Sequence, residues 1–290
     1  MVVPAGIAVI DTMIGLPSAD RRSWYTSMSD MLRDEGSKTF QHPAGYMFKD
    51  TPTVRREPDS IDRLLAEMDR FGIERGLVPV TLTDDLHVRA IEEHPDRLSG
   101  SVELDPNQGM DAVRELERAV HEHGVIAAQF FPAGKNPPVP INDRRAYPIY
   151  AKCVELDIPV FVQAGVPGPR VPMGSQHPGL VDDVCYDFPE LRFVFRHGCE
   201  PWVDLTVKLL LKWPNLSYSP TAFAPKRYPE AIVQFANTRG ADKILYGGYY
   251  PWGFELERVF AELDGVAFRD QVWPKFLRDN ARRVLRLPDS

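Results

Sequence analysis

The sequence has few cysteines, and its first residues do not resemble a signal peptide. Only three cysteines occur in 290 residues, Cys153, Cys185 and Cys199, and their wide spacing fits no zinc-binding pattern. An odd and scattered set of cysteines is typical of reduced thiols in a cytoplasmic protein, and it argues against a disulfide-stabilised secreted fold. The opening residues, MVVPAGIAVID, contain no basic segment and no cleavage motif, so we expect no signal peptide and a cytoplasmic location.

Long hydrophobic runs and an excess of basic charge are also missing. No apolar stretch approaches the ~20 residues that a membrane-spanning helix needs. The formal net charge is −7, and acidic and basic residues are interleaved along the chain, so we expect neither a nucleic-acid partner nor a membrane surface. What remains is an ordinary globular composition, with 43% hydrophobic and 26% charged residues.

Short apolar segments alternate with amphipathic stretches from one end of the sequence to the other. Most of the apolar segments lack polar alternation, which is typical of parallel strands that are covered by helices. By contrast, the stretch PDSIDRLLAEMDRFG places its apolar residues on one helical face and ends at Gly72. The eight predicted strands cover residues 7–11, 73–80, 98–104, 125–131, 158–164, 191–197, 216–220 and 243–248.

Eight strands, each followed by a helix, predict a (β/α)8 TIM barrel that forms a single domain over residues 1–290. A doubly wound open sheet is disfavoured because no G-x-G-x-x-G turn follows the first strand. Residues 16–57 form an insertion after that strand, with a predicted short helix at 21–34. Because the insertion is rich in aromatic residues and would overhang the barrel mouth, we expect it to be a lid or a contact within a homo-oligomer.

The carboxyl ends of the strands are where TIM barrels carry their active sites, and here they supply many polar side chains. Histidine is the side chain best suited to proton transfer near neutral pH, and an arginine fork suits a carboxylate. The candidate catalytic residues are His197, Asp11 and Tyr249, and the candidate substrate-binding residues are Arg170, Lys226, Arg196, Gln163, Gln129, Glu200, Tyr250 and Met13.

Several motifs resemble the amidohydrolase-related family, in the branch of the aminocarboxymuconate-semialdehyde decarboxylase-like enzymes. The resemblance covers nearly the whole chain. It implies a metal-bearing barrel that hydrolyses or decarboxylates small carboxylated substrates. The motifs that carry it are VIDTMIG, GSVELDP, GVIAAQFFPAG, IPVFVQAG, FVFRHGCEPW, WPNLSYSP and KILYGGYYPWG.

The same resemblance implies that most of the family's metal ligands are missing. The two histidines of the family's D-x-H-x-H motif correspond to Met13 and Gly15, and the fifth-strand histidine corresponds to Gln163. The eighth-strand aspartate corresponds to Tyr249, so that only His197 is retained. Since one histidine cannot hold zinc, we expect no metal cofactor. The alternative is one divalent ion, such as zinc, at Asp11 and His197, with Glu103 and Glu200 as further oxygen donors.

Three functions fit this set of residues. The first is a metal-independent hydrolase or lyase, of the decarboxylase or lactonase type, that acts on a small anionic substrate. There His197 would be a general base or a hydrogen-bond donor, and Tyr249 a weak acid or oxyanion donor. The second is a non-catalytic family member that binds a ligand or forms a hetero-oligomer with an active relative. The third is a metal-dependent hydrolase with relocated ligands.

Overall fold

The structure is a computed structural model that describes residues 4, 6–17, 28–39, 44–49, 51–52 and 60–288. Much of the predicted helix at 21–34, with Trp24 and Tyr25, lies outside the described residues, as does Phe40. Where this segment is described, residues 28–31 form a 3-10 turn and residues 32–34 are not helical. Within the described part of the chain, no helix is long and apolar enough to cross a membrane.

The strands form one parallel sheet in which each strand pairs with its neighbour in the sequence. This order is that of a TIM barrel, and it confirms the predicted fold class. Seven strands are regular: β1 (Val9–Asp11), β2 (Ile73–Val80), β3 (Leu98–Glu103), β4 (Ala127–Phe130), β5 (Val160–Gln163), β6 (Phe193–Arg196) and β7 (Leu216–Tyr218).

Helices connect the strands and cover the outside of the sheet. In α4, one apolar face is buried and Gly124 ends the helix in the left-handed conformation, with φ 65°, where its N–H reaches the carbonyls of Ala119 and Val120. The described helices are α1 (Glu35–Thr39), α2 (Ser60–Arg70), α3 (Asp85–Glu93), α4 (Met110–His123), α5 (Tyr147–Glu155), α6 (Val181–Asp187), α7 (Val203–Lys212), α8 (Glu230–Thr238), α9 (Leu256–Leu263), α10 (Val272–Pro274) and α11 (Asn280–Leu285), with a π-helical turn (Lys275–Asp279) joining the last two.

The predicted eighth strand, residues 243–248, is not a regular strand, and that part of the prediction is wrong. Its backbone nevertheless bonds to both edges of the sheet. The N–H of Leu245 donates to Tyr218 of β7, and the N–H of Thr12, just after β1, donates to Tyr246. In the part of the chain that is described, the segment forms an isolated bridge between Ile244 and Tyr218, and the chain then turns at Tyr249, whose φ is 61°. The segment thus closes the ring without forming a continuous ladder.

The carboxylate of Asp11 joins the two sides of this closure. Its Oδ1 atom accepts the backbone N–H groups of Met13 and Gly248, each at 2.9 Å. The Thr12 hydroxyl adds a bond of 2.6 Å to the Tyr246 carbonyl. Asp11 is fully buried, so these N–H groups have no competing water, and the side chain replaces the acceptor that a regular ladder would supply.

The barrel interior changes from apolar to polar along the strands. An apolar layer contains Ile10, Phe161 and Val194, and α11 covers it. Residues two positions further along a strand face the same side of the sheet. In these strands they are Thr12, Gln163 and Arg196. The interior therefore becomes polar toward the carboxyl ends of the strands, where the site is expected.

We expect Asp11→Ala to lower the free energy of unfolding by about 3 kcal/mol, because two buried N–H groups lose their acceptor. The matched variant Asp11→Asn keeps the Oδ1 acceptor and should lose clearly less. Urea denaturation of both variants at one pH provides the comparison. Equal stability of the two variants would show that the bonds to Met13 and Gly248 do not hold the closure together.

Candidate active site

Arg196 occupies the centre of the barrel. Its guanidinium lies over the Phe161 ring, with 4.4 Å from Cζ to the ring centroid, and Nη2 donates to the Thr12 carbonyl at 2.7 Å. Nη1 donates to Oε1 of Gln129, which also accepts the Ser101 hydroxyl. Only 2% of Arg196 is exposed. Burial lowers its pKa to about 9, so the side chain remains a cation at neutral pH.

His197 follows directly and is held by Thr221. The Thr221 Oγ1 atom accepts the His197 backbone N–H at 3.1 Å and lies 2.9 Å from the imidazole Nδ1. Burial, with a contribution from the Arg196 charge, lowers the pKa of His197 to about 3. The imidazole is therefore neutral at physiological pH. The backbone of His197 is in the left-handed region, with φ 67°, which for a non-glycine residue is a strained conformation typical of functional sites.

An aromatic cluster of Phe48, Tyr249, Trp252 and Phe254 lies beside His197. The Tyr249 ring is perpendicular to the imidazole, with centroids 5.2 Å apart. On its other sides it contacts Phe48 at 5.7 Å and Trp252 at 5.6 Å. Phe48 belongs to the insertion, so the described part of the insertion does reach the barrel mouth.

The aromatic cluster packs against Gly15, one of the two positions that the resemblance assigns to the family's first-strand histidines. A Cβ atom on Gly15 would lie 2.4 Å from two carbons of the Trp252 ring, so no histidine fits there without displacing Trp252. Met13 is buried, and its carbonyl accepts the N–H of Tyr249. Among the residues described, no three histidine, cysteine or acidic side chains come together as a potential metal site. The absence of a metal cofactor stays a prediction, supported by Met13 and by the packing of Trp252 against Gly15.

The Asp11 carboxylate is part of the barrel closure. Its Oδ1 atom is used in the barrel closure, while Oδ2 is buried and has no hydrogen-bond partner. Burial raises the pKa of Asp11 to about 7, against the lowering effects of the bonds from Gly248 and Met13 and of the Arg196 charge. The carboxyl group is therefore close to half-protonated at neutral pH, as a group that exchanges protons would be.

Lys135 and Thr221 were not among the candidates from the sequence. Lys135 lies in the loop after β4, is only 11% exposed, and pairs with Glu103 at 2.5 Å. Glu103 also accepts the Phe131 N–H at 3.2 Å, and its charge acts on Arg196. A lysine inside an otherwise apolar and proline-rich stretch, FFPAGKNPP, was the available signal.

Two other candidate cations, Arg170 and Lys226, are half-exposed and paired with carboxylates. Arg170 donates to Asp34 at 2.6 Å, and Lys226 donates to Glu262 at 2.8 Å. In these ion pairs, carboxylates of the protein itself bind the two cations that were expected to bind an anionic substrate. Whether either residue also meets a ligand stays a prediction.

The remaining candidates differ in their surroundings. Gln163 pairs with Arg196 in the β5–β6 register and continues the polar layer. Glu200 is partly buried, which raises its pKa. Tyr250 is 2% exposed and hydrogen-bonds to Arg63 of α2, away from His197. Gln163 and Glu200 therefore lie close to the Arg196–His197 pair in the sheet or the sequence, whereas Tyr250 packs between the barrel and α2.

Comparisons with known proteins agree with this architecture. A family model described as amidohydrolase matches residues 10–287, and the chain belongs to that family. A curated relative, the 2-keto-4-carboxy-3-hexenedioate hydratase of Sphingobium sp. (strain NBRC 103272 / SYK-6), is 30% identical over 132 residues, which are 40% of this chain. The match spans only 39% of the relative's length.

Solved structures share the fold across nearly the whole chain. An uncharacterized TIM-barrel protein from Bordetella bronchiseptica is similar with a TM-score of 0.72 and 22% identity, covering 96% of this chain and 98% of that one. The 5-carboxyvanillate decarboxylase of Novosphingobium aromaticivorans, solved with manganese, has a TM-score of 0.69 and 17% identity, covering 97% of both chains. The 4-oxalomesaconate hydratase of Rhodopseudomonas palustris has a TM-score of 0.62 and 18% identity, covering 96% and 95%.

Gly15→Ala tests the contact with Trp252. We expect it to lower the free energy of unfolding by about 1–3 kcal/mol, because the new methyl group overlaps the indole ring. In a Trp252→Ala background the same change should cost much less. Gly174→Ala is the control, since a Cβ there meets nothing within 4 Å. Equal costs of Gly15→Ala in both backgrounds, measured by urea denaturation, would contradict the overlap.

The raised pKa of Asp11 predicts a pH-dependent effect of Asp11→Asn. The folded protein keeps the Asp11 proton up to about pH 7, whereas the unfolded chain releases it near the ordinary value of 3.8. Raising the pH through this interval therefore destabilises the wild type, but not the asparagine variant. Over this interval, the free energy of unfolding of the wild type should fall relative to that of Asp11→Asn by up to about 4 kcal/mol, at about 1.4 kcal/mol per pH unit. A pH-independent difference in denaturation midpoints would rule out the raised pKa.

Proposed function

We propose that the protein is a metal-independent hydrolase or lyase that acts on a small anionic substrate. The observation that carries this proposal is the buried positive charge of Arg196. Its described hydrogen bonds go to neutral oxygens, on Gln129 and Thr12, and the charges of Glu103 and Asp11 act on it without a direct bond. Because a buried cation without a directly bonded anion is unfavourable, an anion that reaches the guanidinium would be bound strongly.

His197 is suited to donating a hydrogen bond rather than to accepting a proton. With a pKa of about 3 it is a weak base. The Thr221 hydroxyl can donate a hydrogen bond to Nδ1 of His197. The neutral ring then carries its proton on Nε2, where it can act as a donor. A neutral donor beside Arg196 would stabilise negative charge that develops on a substrate oxygen, and the Tyr249 hydroxyl would be a second donor or a weak acid.

Proton transfer then falls to a carboxyl group, and Asp11 has the pKa closest to the working pH. Decarboxylation, hydration and lactone hydrolysis of a carboxylated substrate all use an anion-binding site, stabilisation of an oxyanion or enolate, and proton transfer. The decarboxylases and hydratases among the relatives favour a lyase that breaks a carbon–carbon or carbon–oxygen bond.

His197→Asn tests the proposal directly. Chelator-treated protein is assayed against small aromatic and 2-oxo carboxylates, with CO2 release and ultraviolet absorbance as readouts. We expect turnover to survive chelation and kcat to fall by about 10²–10⁴-fold in the variant. His121→Asn, on the exposed end of α4, is the control and should leave kcat unchanged. Full activity of His197→Asn would contradict the proposal.

The aromatic cluster favours a second candidate, a non-catalytic family member. Tyr249 and Trp252 are less than a tenth exposed, and Trp252 packs against Gly15, a position that the resemblance assigns to a metal ligand. Such a protein would bind a ligand or stabilise an active relative as an oligomer. It predicts carboxylate binding without turnover, and an increase in the activity of a co-expressed relative that His197→Asn does not abolish.

A further inference from the structure

The carboxylate of Glu103 lies on the interior side of the barrel, next to the residues that hold Arg196. Glu103 pairs with Gln129 in the register of β3 and β4, and Oε1 of Gln129 accepts a hydrogen bond from Arg196. Ser101, two residues before Glu103, donates its hydroxyl to the same Gln129 oxygen at 3.1 Å. Because residues two apart on a strand face the same side of the sheet, Glu103 faces the interior, one layer nearer the mouth than Ser101.

One oxygen of this carboxylate is occupied and the other is available. Oε1 accepts Nζ of Lys135 at 2.5 Å and the backbone N–H of Phe131 at 3.2 Å. Oε2 forms no hydrogen bond with the described residues, and it is not enclosed by them. The Glu103 side chain is 36% exposed, whereas the Lys135 side chain is 11% exposed. The Oε2 edge can therefore be reached by a molecule in the barrel mouth.

Lys135 fixes the orientation of the carboxylate. It follows a short turn after β4, in which the N–H of Ala133 donates to Oε1 of Gln176 at 3.3 Å. Gln176 is in turn tied to the segment after β5, because its Nε2 donates to the Gly165 carbonyl at 3.1 Å. The lysine thus lies on an anchored loop. A charge-assisted bond from such a lysine holds Oε1 in place and leaves Oε2 on the accessible side.

The chemistry of the Oε2 edge selects what can bind there. Glu103 carries a negative charge, which acts on Arg196. An ionised carboxylate accepts hydrogen bonds and donates none, so it attracts a hydroxyl and repels a second carboxylate. Because Lys135 already balances the charge, the pair as a whole attracts a cation weakly, and a neutral donor is favoured. A methyl ether in place of the hydroxyl would leave Oε2 without a donor, which is unfavourable.

We propose that Glu103 is a specificity-determining residue of the candidate active site, whose Oε2 atom accepts a hydrogen bond from a hydroxyl group of the substrate. This inference rests on the proposed function and deepens it, because it makes the anionic substrate a hydroxy acid. The acid group is drawn by the charge of Arg196, and the hydroxyl by Glu103. Lys135 is a positioning residue that acts through Glu103.

Calorimetry with matched acids tests this assignment. The isomeric hydroxybenzoates are titrated into the wild-type protein, each beside the methoxybenzoate of the same substitution pattern. We expect at least one hydroxybenzoate to bind about tenfold more tightly than its methoxy partner. Glu103→Gln keeps an oxygen for Lys135 and Phe131 but replaces Oε2 with an amide donor, so this preference should disappear or reverse. The substitution barely changes the size of the side chain, so bulk of the methyl group cannot explain such a loss.

Lys135→Met gives a second result that does not depend on folding of Glu103→Gln. It leaves the Glu103 charge unbalanced, so the affinity for cationic aminomethylbenzoates should rise relative to that for the hydroxybenzoates. The control is Glu117→Gln, which changes another acid that pairs with a lysine, Lys152 at 3.5 Å, on the exposed side of α4. It should leave the hydroxy-to-methoxy preference unchanged.

The same preference in wild type and Glu103→Gln would overturn the inference, as would its absence in the wild type or an equal loss in Glu117→Gln. An unchanged affinity of Lys135→Met for the aminomethylbenzoates would also contradict it. The proposed function fails separately, if hydroxy acids are selected through Glu103 but His197→Asn has no effect on turnover. If His197→Asn abolishes turnover and Glu103→Gln leaves the KM ratio of hydroxy to methoxy acids unchanged, only the role of Glu103 is wrong.

Discussion

Closure of the barrel depends on one buried carboxylate. The segment after α8 forms no regular strand, and Asp11 compensates by accepting N–H groups from both sides of the junction. The bond between Tyr249 and Met13 forms beside it and fixes where the Tyr249 ring lies. The position of that ring decides what contacts His197 and what fills the mouth. Burial that makes these bonds strong also raises the pKa of Asp11, so the same side chain serves closure and could serve proton transfer.

The interior of the barrel has three layers along the direction of the strands. An apolar layer lies on α11, a polar layer contains Arg196, and the aromatic cluster lies at the mouth. Arg196 carries a buried positive charge in the polar layer. We propose that substrate charge is neutralised by this guanidinium and by neutral donors around it. Arg196 is held by Gln129 and Thr12, so it is preoriented and needs no reorganisation when an anion arrives.

Much of the fold could be predicted from the sequence, and less of the site. Continuous apolar segments and amphipathic helices identify seven of the strands because burial leaves a direct mark on composition. The eighth segment has the same composition, but a left-handed residue at Tyr249 and side-chain bonds from Asp11 replace the ladder. Their position at the carboxyl end of a strand identified Arg196 and His197 as candidate site residues. The contact of Thr221 with His197, and the ion pairs of Arg170 and Lys226, depend on segments distant in the sequence that no local pattern records.

Metal binding by the purified wild-type protein tests the central claim most directly. Equilibrium dialysis against zinc and manganese, followed by elemental analysis and thermal unfolding, measures both occupancy and its effect on stability. With Met13, Gly15 and Tyr249 in place of ligands, and Trp252 packed over Gly15, the account predicts far less than one ion per chain and an unchanged melting temperature. One tightly bound ion per chain that raises the melting temperature, and that is lost in the His197→Asn variant, would contradict it.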